Sequence, residues 1–104
     1  MPSYEKIDKG TIEAIVGEKF TIMGRTPIHM VGELSFPQDA FNLIDKAKRP
    51  ARMIGAKDPV VYTLEPLKPG TYDIEYQRIE PKFGENPEQV SYADIYHVIV
   101  SPKG

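Results

Sequence analysis

Two histidines are the residues in this chain best suited to bind a metal or move a proton, and they lie in separate segments. His29 follows a Thr-Pro pair, and His97 lies in an apolar stretch near the C-terminus. Neither has a carboxylate at a recognised ligand spacing, whereas a protein zinc site takes three or four ligands. The sequence therefore predicts one loop histidine, one strand histidine and no metal site.

The candidate nucleophiles and acids also lack the neighbours that catalysis requires. No serine lies in a nucleophile-elbow setting, and the absence of cysteine excludes thiolate catalysis, disulfides and sulfur-bound metals. Glu85, Glu88 and Asp94 are close in sequence, but with 15 acidic residues in the chain we interpret them as a solvated acidic rim rather than an acid–base pair. We expect a protein that is not an enzyme and uses no cofactor.

Basic residues cluster in one segment. Five positive charges fall close together, at Lys46, Lys48, Arg49, Arg52 and Lys57. No aromatic residues alternate with them to stack on bases, and Asp45 and Asp58 flank them. A solvated, charged loop is favoured, and a contact with phosphate or an acidic partner is the alternative. With a net charge of -2, we do not expect nucleic acid as the partner.

Length and composition predict one small domain over residues 1–104. A chain of this size buries enough apolar surface for one core and not for two. It has no apolar run long enough to cross a bilayer, so we expect no membrane insertion. The first residues lack the apolar stretch of a secretory signal. The expected location is the cytoplasm if Met1 is the native start, and is open if a signal has been removed.

The elements that must position these residues read as strands. Alternating apolar segments are separated by Gly and Pro about ten residues apart, which is typical of an all-β sandwich. Residues 40–48 are ambiguous, because Asp39 can cap a helix while Phe41 and Leu43 alternate as in a strand; a strand over 41–44 is favoured. The other strands are predicted over 11–16, 19–23, 28–36, 59–64, 71–78 and 92–100.

Two features refine that layout. Gly32 interrupts the third strand and predicts either a bulge or a close approach of the backbone to another group. The last strand has apolar residues on both faces, including Ile99 and Val100. Such a pattern indicates a central strand that is covered on both sides.

A Pro-Gly turn at residues 69–70 leads into a strand with Tyr72 near its start. In immunoglobulin-like domains, a tyrosine at such a corner returns a hydrogen bond from its phenol oxygen to the nearby backbone as the chain crosses between sheets. The sequence therefore predicts an immunoglobulin-like antiparallel β-sandwich of about seven strands.

Around this corner the chain resembles the chagasin family, immunoglobulin-like inhibitors of papain-type cysteine proteases. The segment Gly17-Glu18 opens a strand as in that family, and Pro69-Gly70-Thr71-Tyr72 is similar to the family's Ala-Gly-Thr turn. Three loops correspond in position to the family's Asn-Pro-Thr-Thr-Gly, Gly-x-Gly-Gly and Arg-Pro-Trp motifs. Their residues are Thr26, Pro27, Ile28 and His29; Gly55, Ala56, Lys57 and Asp58; and Glu80, Pro81 and Lys82.

The resemblance implies a protein that binds a papain-type protease and occludes its active site with three loops at one end of the sandwich. The loop chemistry differs from the family pattern. Lys57 and Asp58 replace two glycines, and Glu80 and Lys82 replace the Arg and the Trp. A second hypothesis is therefore a non-inhibitory structural or adhesion module of a larger assembly, such as a virion or surface complex, that makes its contacts through strand edges.

Overall fold

The computed structural model describes residues 4–27, 30–48, 59–80 and 89–103. Within these ranges every regular element is a strand, and no helix is long enough to cross a membrane. The strands are β1 Glu5–Ile15, β2 Phe20–Gly24, β3 Val31–Ser35, β4 Phe41–Lys48, β5 Val60–Pro66, β6 Gly70–Glu80 and β7 Gln89–Ser101.

The strands form two sheets, which confirms the predicted immunoglobulin-like sandwich. One sheet has the order β1-β7-β6-β3 and the other has the order β2-β5-β4. Four of the strand pairs are antiparallel. The pair formed by β1 and β7 is parallel, because β1 lies beside a strand from the far end of the sequence and no tight turn dictates its direction.

The predicted corner lies between β5 and β6, where the chain passes from the three-stranded sheet to the four-stranded sheet. The Tyr72 hydroxyl donates to the carbonyl oxygens of Pro69 at 3.0 Å and Lys68 at 3.3 Å. Gly70 has a φ of 145°, which suits a residue without a Cβ. The corner and its tyrosine hydrogen bond are therefore confirmed.

The core lies between the sheets and contains side chains from both. Phe41, which is 1% exposed, contacts Phe20 and Tyr72 edge-on at centroid distances of 5.9 and 5.2 Å. Burying an apolar side chain of this size contributes about 2 to 3 kcal/mol. The buried cluster consists of Ala14, Ile22, Ala40, Phe41, Leu64, Ile74, Val98 and Val100.

Residues 40–48 are strand rather than helix beyond the initial turn, as favoured, but β4 continues to Lys48 instead of ending near residue 44. A register shift between Leu43 and Asp45 marks a bulge. β1 also begins earlier than predicted, at Glu5. The first half of β1 is exposed and mostly polar, so it shows no apolar alternation. It is a strand because it forms hydrogen bonds to β7.

The last strand, β7, lies between β1 and β6, as its pattern predicts. Its inward residue Val98 is fully buried. Ile99 on the opposite face is 42% exposed, so the prediction that both faces are covered is wrong at this position. Hydrogen bonding on both edges, rather than burial of both faces, makes β7 central.

Candidate functional site

The connections β2–β3, β4–β5 and β6–β7 leave the sandwich from strand ends that meet at one end. In the three-stranded sheet, Gly24 at the end of β2 and Lys48 at the end of β4 both pair with Val60 at the start of β5. In the other sheet, the end of β6 pairs with the starts of β3 and β7. This part of the sandwich is termed the loop end.

Three of the sequence-predicted contact residues lie in the described part of the chain. Thr26 and Pro27 follow β2, and Glu80 is the last residue of β6. The Glu80 carboxylate accepts a hydrogen bond from the Ser91 hydroxyl at 3.3 Å. The remaining predicted contact residues lie outside the described residues: Ile28, His29, Gly55, Ala56, Lys57, Asp58, Pro81 and Lys82.

Thr26 is held by Tyr76 from the opposite sheet. Their hydroxyls form a hydrogen bond, and Tyr76 is 1% exposed. Gly24 and Gly32 lie against Tyr76, since a Cβ on Gly24 would overlap the ring and one on Gly32 would overlap the hydroxyl. The register of β3 runs unbroken through Gly32, so its glycine serves a close approach and not a bulge.

Arg78 anchors the first loop to both β6 and β7. Its Nε donates to the carbonyl of Arg25 at 2.7 Å, and its Nη2 donates to Asp94 Oδ2 at 2.8 Å. The guanidinium group lies 4.8 Å from the Tyr92 ring centroid and 5.2 Å from that of Tyr76. The side chains of Arg78 and Asp94 are 9% and 6% exposed, so the pair is buried.

This pair corrects one prediction. Asp94 belongs to a buried ion pair and not to a solvated rim, while Glu85 and Glu88 lie outside the described residues. Burial acts to lower the pKa of Arg78, but the hydrogen bond and charge of Asp94, with Tyr92 and Tyr76, raise it overall. No sequence signal marks this pair, because its two members are brought together only by the pairing of β6 with β7.

A cleft of about 310 Å³ opens beside the loop end, between β3 and β4. Lys46 and Lys48 line it. Both lie in β4, so these two members of the basic cluster are strand residues and not part of a loop. The Lys46 ammonium lies 5.7 Å from the centre of the Tyr62 ring. Arg49, Arg52 and Lys57 lie outside the described residues. The lining consists of Thr26, Val31, Gly32, Lys46, Lys48, Val60, Tyr62 and Tyr76.

His97 is a strand residue, as predicted, and lies on the outer face of the four-stranded sheet. Its Nδ1 is 2.7 Å from Asp73 Oδ1, and its Nε2 is 3.3 Å from Asp8 Oδ2. The hydrogen bond to Asp73 is the largest factor and raises the pKa of His97. Burial comes second and acts to lower it, and the hydrogen bond and charge of Asp8 add to the rise. Across the described ranges, no group of three or more ligating side chains is arranged to hold a metal.

The fold and the loop end define an immunoglobulin-like sandwich with three connections at one end. No family model and no curated protein matches the sequence. Among solved structures, the chain is similar to EhICP2, a cysteine protease inhibitor from Entamoeba histolytica, with a TM-score of 0.68 and 20% identity over 94% of this chain and 96% of that one. A weaker likeness is to the solution structure of amebosin, with a TM-score of 0.49 and 13% identity over 96% and 100%.

The likeness to EhICP2 shows a shared fold along nearly the whole of both chains. The immunoglobulin-like sandwich expected from the corner and its spacing is thereby supported in three dimensions.

Proposed function

We propose that this chain is a protein inhibitor of papain-type cysteine proteases and binds them with its loop end. The observation that carries the proposal is the fold shared with a cysteine protease inhibitor over 94% of this chain. The inhibitor would be a single domain and not an enzyme. Its contact residues would be Thr26, Pro27, Ile28, His29, Gly55, Ala56, Lys57, Asp58, Glu80, Pro81 and Lys82.

Inhibition would occur by occlusion. The loop that begins at Thr26 would cover the catalytic cysteine of the protease, and the two other loops would contact the walls of the cleft on either side. Such a mechanism needs no covalent step. It benefits from a loop base that is ordered before binding, because less conformational entropy is then lost in the complex.

Two contacts support such an ordered base. Tyr76 binds the hydroxyl of Thr26, and Arg78 binds the carbonyl of Arg25. Both anchoring side chains come from β6 and are buried. The first loop therefore begins from a fixed position at the loop end.

The test is an inhibition assay against a panel of papain-type proteases. We expect inhibition at micromolar or lower concentration, and its loss when residues 26–29 are replaced by glycines. The matched control replaces Glu18 and Lys19, two exposed residues in the turn at the opposite end, by glycines; it should inhibit normally. The 26–29 glycine variant should unfold at a somewhat lower temperature than the control, because the buried Tyr76 hydroxyl loses Thr26. A variant that is fully folded at the assay temperature would show that the loss of inhibition is local.

The proposal fails if no protease of the panel is inhibited while a pull-down recovers partners that still bind the 26–29 glycine variant. That result would favour the second candidate, a structural or adhesion module. The observation in its favour is the edge strand β4, which among the described strands pairs with β5 alone and is exposed at every residue after Phe41. An unpaired edge can take up a strand from a partner.

A substitution on β4 separates the two candidates. Ile44 is 40% exposed on this edge, and a lysine there discourages strand addition. Ile44→Lys should leave protease inhibition unchanged under the first candidate. Loss of partner binding in this variant, with the 26–29 glycine variant unaffected, would establish the second.

A further inference from the structure

We propose that the cleft between β3 and β4 binds an acidic side chain of the partner protein. Its lining residues were given above, and Lys46 and Lys48 are the two that carry charge; it is termed the lysine cleft. The inference goes beyond the proposed function, because it concerns the charge of the partner and holds for any protein that contacts the loop end.

The bulge in β4 determines which side chains enter the cleft. Leu43 pairs with the buried Leu64, so it lies on the inner face of the sheet. Strict alternation would put Asp45 on that face next, because strand side chains alternate with a period of two. The extra residue, Ile44, reverses the alternation, so that Lys46 lies opposite the buried Tyr62.

Lys48 follows on the same face, opposite Val60, and Asp45 lies on the other face beside Thr63. A one-residue slip thus exchanges a carboxylate for two ammonium groups on the side of the strand that lines the cleft. Cations on an inward face are an unusual use of a sandwich strand, and they are tolerated here because β4 is an edge strand and both lysines are exposed.

The charge in the cleft is unbalanced. Among the described residues, neither Lys46 nor Lys48 forms an ion pair, and the lining contains no carboxylate. Glu33, which is not a lining residue, acts on the lining through its charge, which helps to raise the pKa of Tyr62. Burial is the main factor that raises the pKa of Tyr62 to about 12, so its hydroxyl remains a neutral hydrogen-bond donor.

These groups suit the side chain of aspartate or glutamate. Two ammonium groups and a phenol supply donors for a carboxylate, and charge-assisted hydrogen bonds are among the stronger polar contacts. Val31 and Val60 supply apolar surface for the methylene groups of such a side chain. Thr26 lines the cleft and also lies at the loop end, so the cleft is continuous with the proposed contact surface.

The test uses two short blocked peptides, tri-glutamate and tri-glutamine, titrated into the isotopically labelled protein and followed by NMR. We expect saturable shifts of the amides of Gly32, Lys48 and Val60 with tri-glutamate only, weakening as salt is added. Lys46→Gln with Lys48→Gln should lower the affinity about tenfold. Arginine at both positions should keep it.

The control variant, Lys9→Gln with Lys103→Gln, removes the same charge from exposed sites outside the cleft and should bind normally. The inference is overturned by equal binding of tri-glutamine, by no saturable shift at millimolar tri-glutamate, or by an equal loss in the control. Tighter binding of inorganic phosphate at the same amides would assign the cleft to phosphate instead. Since no protease is used, a failure here is distinct from a failure to inhibit.

Discussion

Arg78 is the residue on which most of the described loop end depends. Its guanidinium group joins Asp94 on β7 to the backbone at Arg25 and lies between two aromatic rings. Desolvation of the two charges opposes folding, and their attraction offsets that cost only while both are present. The Nη1 atom is buried without a hydrogen-bond partner among the described residues. The guanidinium group therefore already has one unsatisfied nitrogen and would have another if Asp94 were lost.

Replacement of one partner of this buried pair should be more damaging than replacement of both. Asp94→Leu leaves an unpaired buried guanidinium group and should lower the free energy of unfolding by about 3 to 5 kcal/mol. Adding Arg78→Met should recover part of that loss, because no buried charge remains. Urea unfolding of wild type, single and double variants measures both effects. A double variant less stable than Asp94→Leu would contradict the argument.

His97 should make stability depend on pH. Its pKa is raised in the folded chain, so its stabilising contribution is complete below the ordinary value of 6.5 and is lost as pH rises through the raised folded value. The free energy of unfolding should therefore fall with pH in that window. His29→Gln leaves His97 as the single histidine, and NMR then reports its titration directly.

Two aspartate variants provide the control for this pH dependence. Asp73→Asn should lower the pKa of His97 more than Asp8→Asn does, because the hydrogen bond to Asp73 is the larger cause. Equal effects, or none, would show that the contacts do not persist in solution. The lowered pKa of Asp8, due chiefly to the Gly10 amide, acts only in acid and does not disturb the window.

At the scale of the elements, the loop end depends on how closely β2 and β3 approach Tyr76. Gly24 and Gly32 leave room for its ring and hydroxyl, respectively. The ring also contacts Tyr62 of β5 at 6.0 Å between centroids. Tyr76 thus contacts both sheets and the first loop. The two glycines leave space for this one side chain.

Substitution of each glycine by alanine tests this packing. Both Gly24→Ala and Gly32→Ala should lower the free energy of unfolding, by about 1 to 3 kcal/mol, because they overpack the region. In a Tyr76→Phe background, the cost of Gly32→Ala should shrink but not vanish, since the hydroxyl is gone while the ring carbon Cζ and Thr26 Oγ1 still lie 2.5 Å from the added Cβ. The cost of Gly24→Ala should persist, since the ring remains. Thermal or urea unfolding of this double-mutant series checks the difference.

A strand could be located from the sequence where one of its faces is buried, because burial requires apolar residues at every second position. β5 and the middle of β6 alternate between buried and partly exposed residues, and the sequence located both strands. The first half of β1 and the end of β4 are exposed, so they leave no apolar pattern to find. The bulge at Ile44 was missed because the residues after it are exposed, so that only the alternation of Phe41 and Leu43 before it carries an apolar pattern.

At the scale of the whole molecule, the two ends of the sandwich differ in the contacts they contain. The far end carries the tyrosine corner and the turn closed by the Gly17 amide on the Pro66 carbonyl. The loop end carries Thr26, Pro27 and Glu80, the described members of the proposed contact set, and the lysine cleft lies beside it. Under the proposed function, partner binding and structural closure would lie at opposite ends of the strands, so substitutions at one end should leave the other intact.

Hydrogen exchange should distinguish the two ends. If a papain-type protease binds at the loop end, the amides of Gly24, Lys48 and Glu80 should exchange more slowly in the complex. Those of Gly17 and Leu67 at the far end should not change. Protection confined to the β4 edge would instead support strand addition by a partner and would contradict occlusion by loops.

The sequence by itself determined the class of fold, because apolar alternation, turn residues and the tyrosine corner are local patterns, each visible within about ten residues. It also placed three candidate loops in order along the chain. Only the tertiary structure brought Arg78 to Asp94, His97 to Asp73 and Asp8, and two lysines into one cleft. These groupings depend on strand order and on a single bulge, and both are set by pairing between distant segments rather than by neighbouring residues.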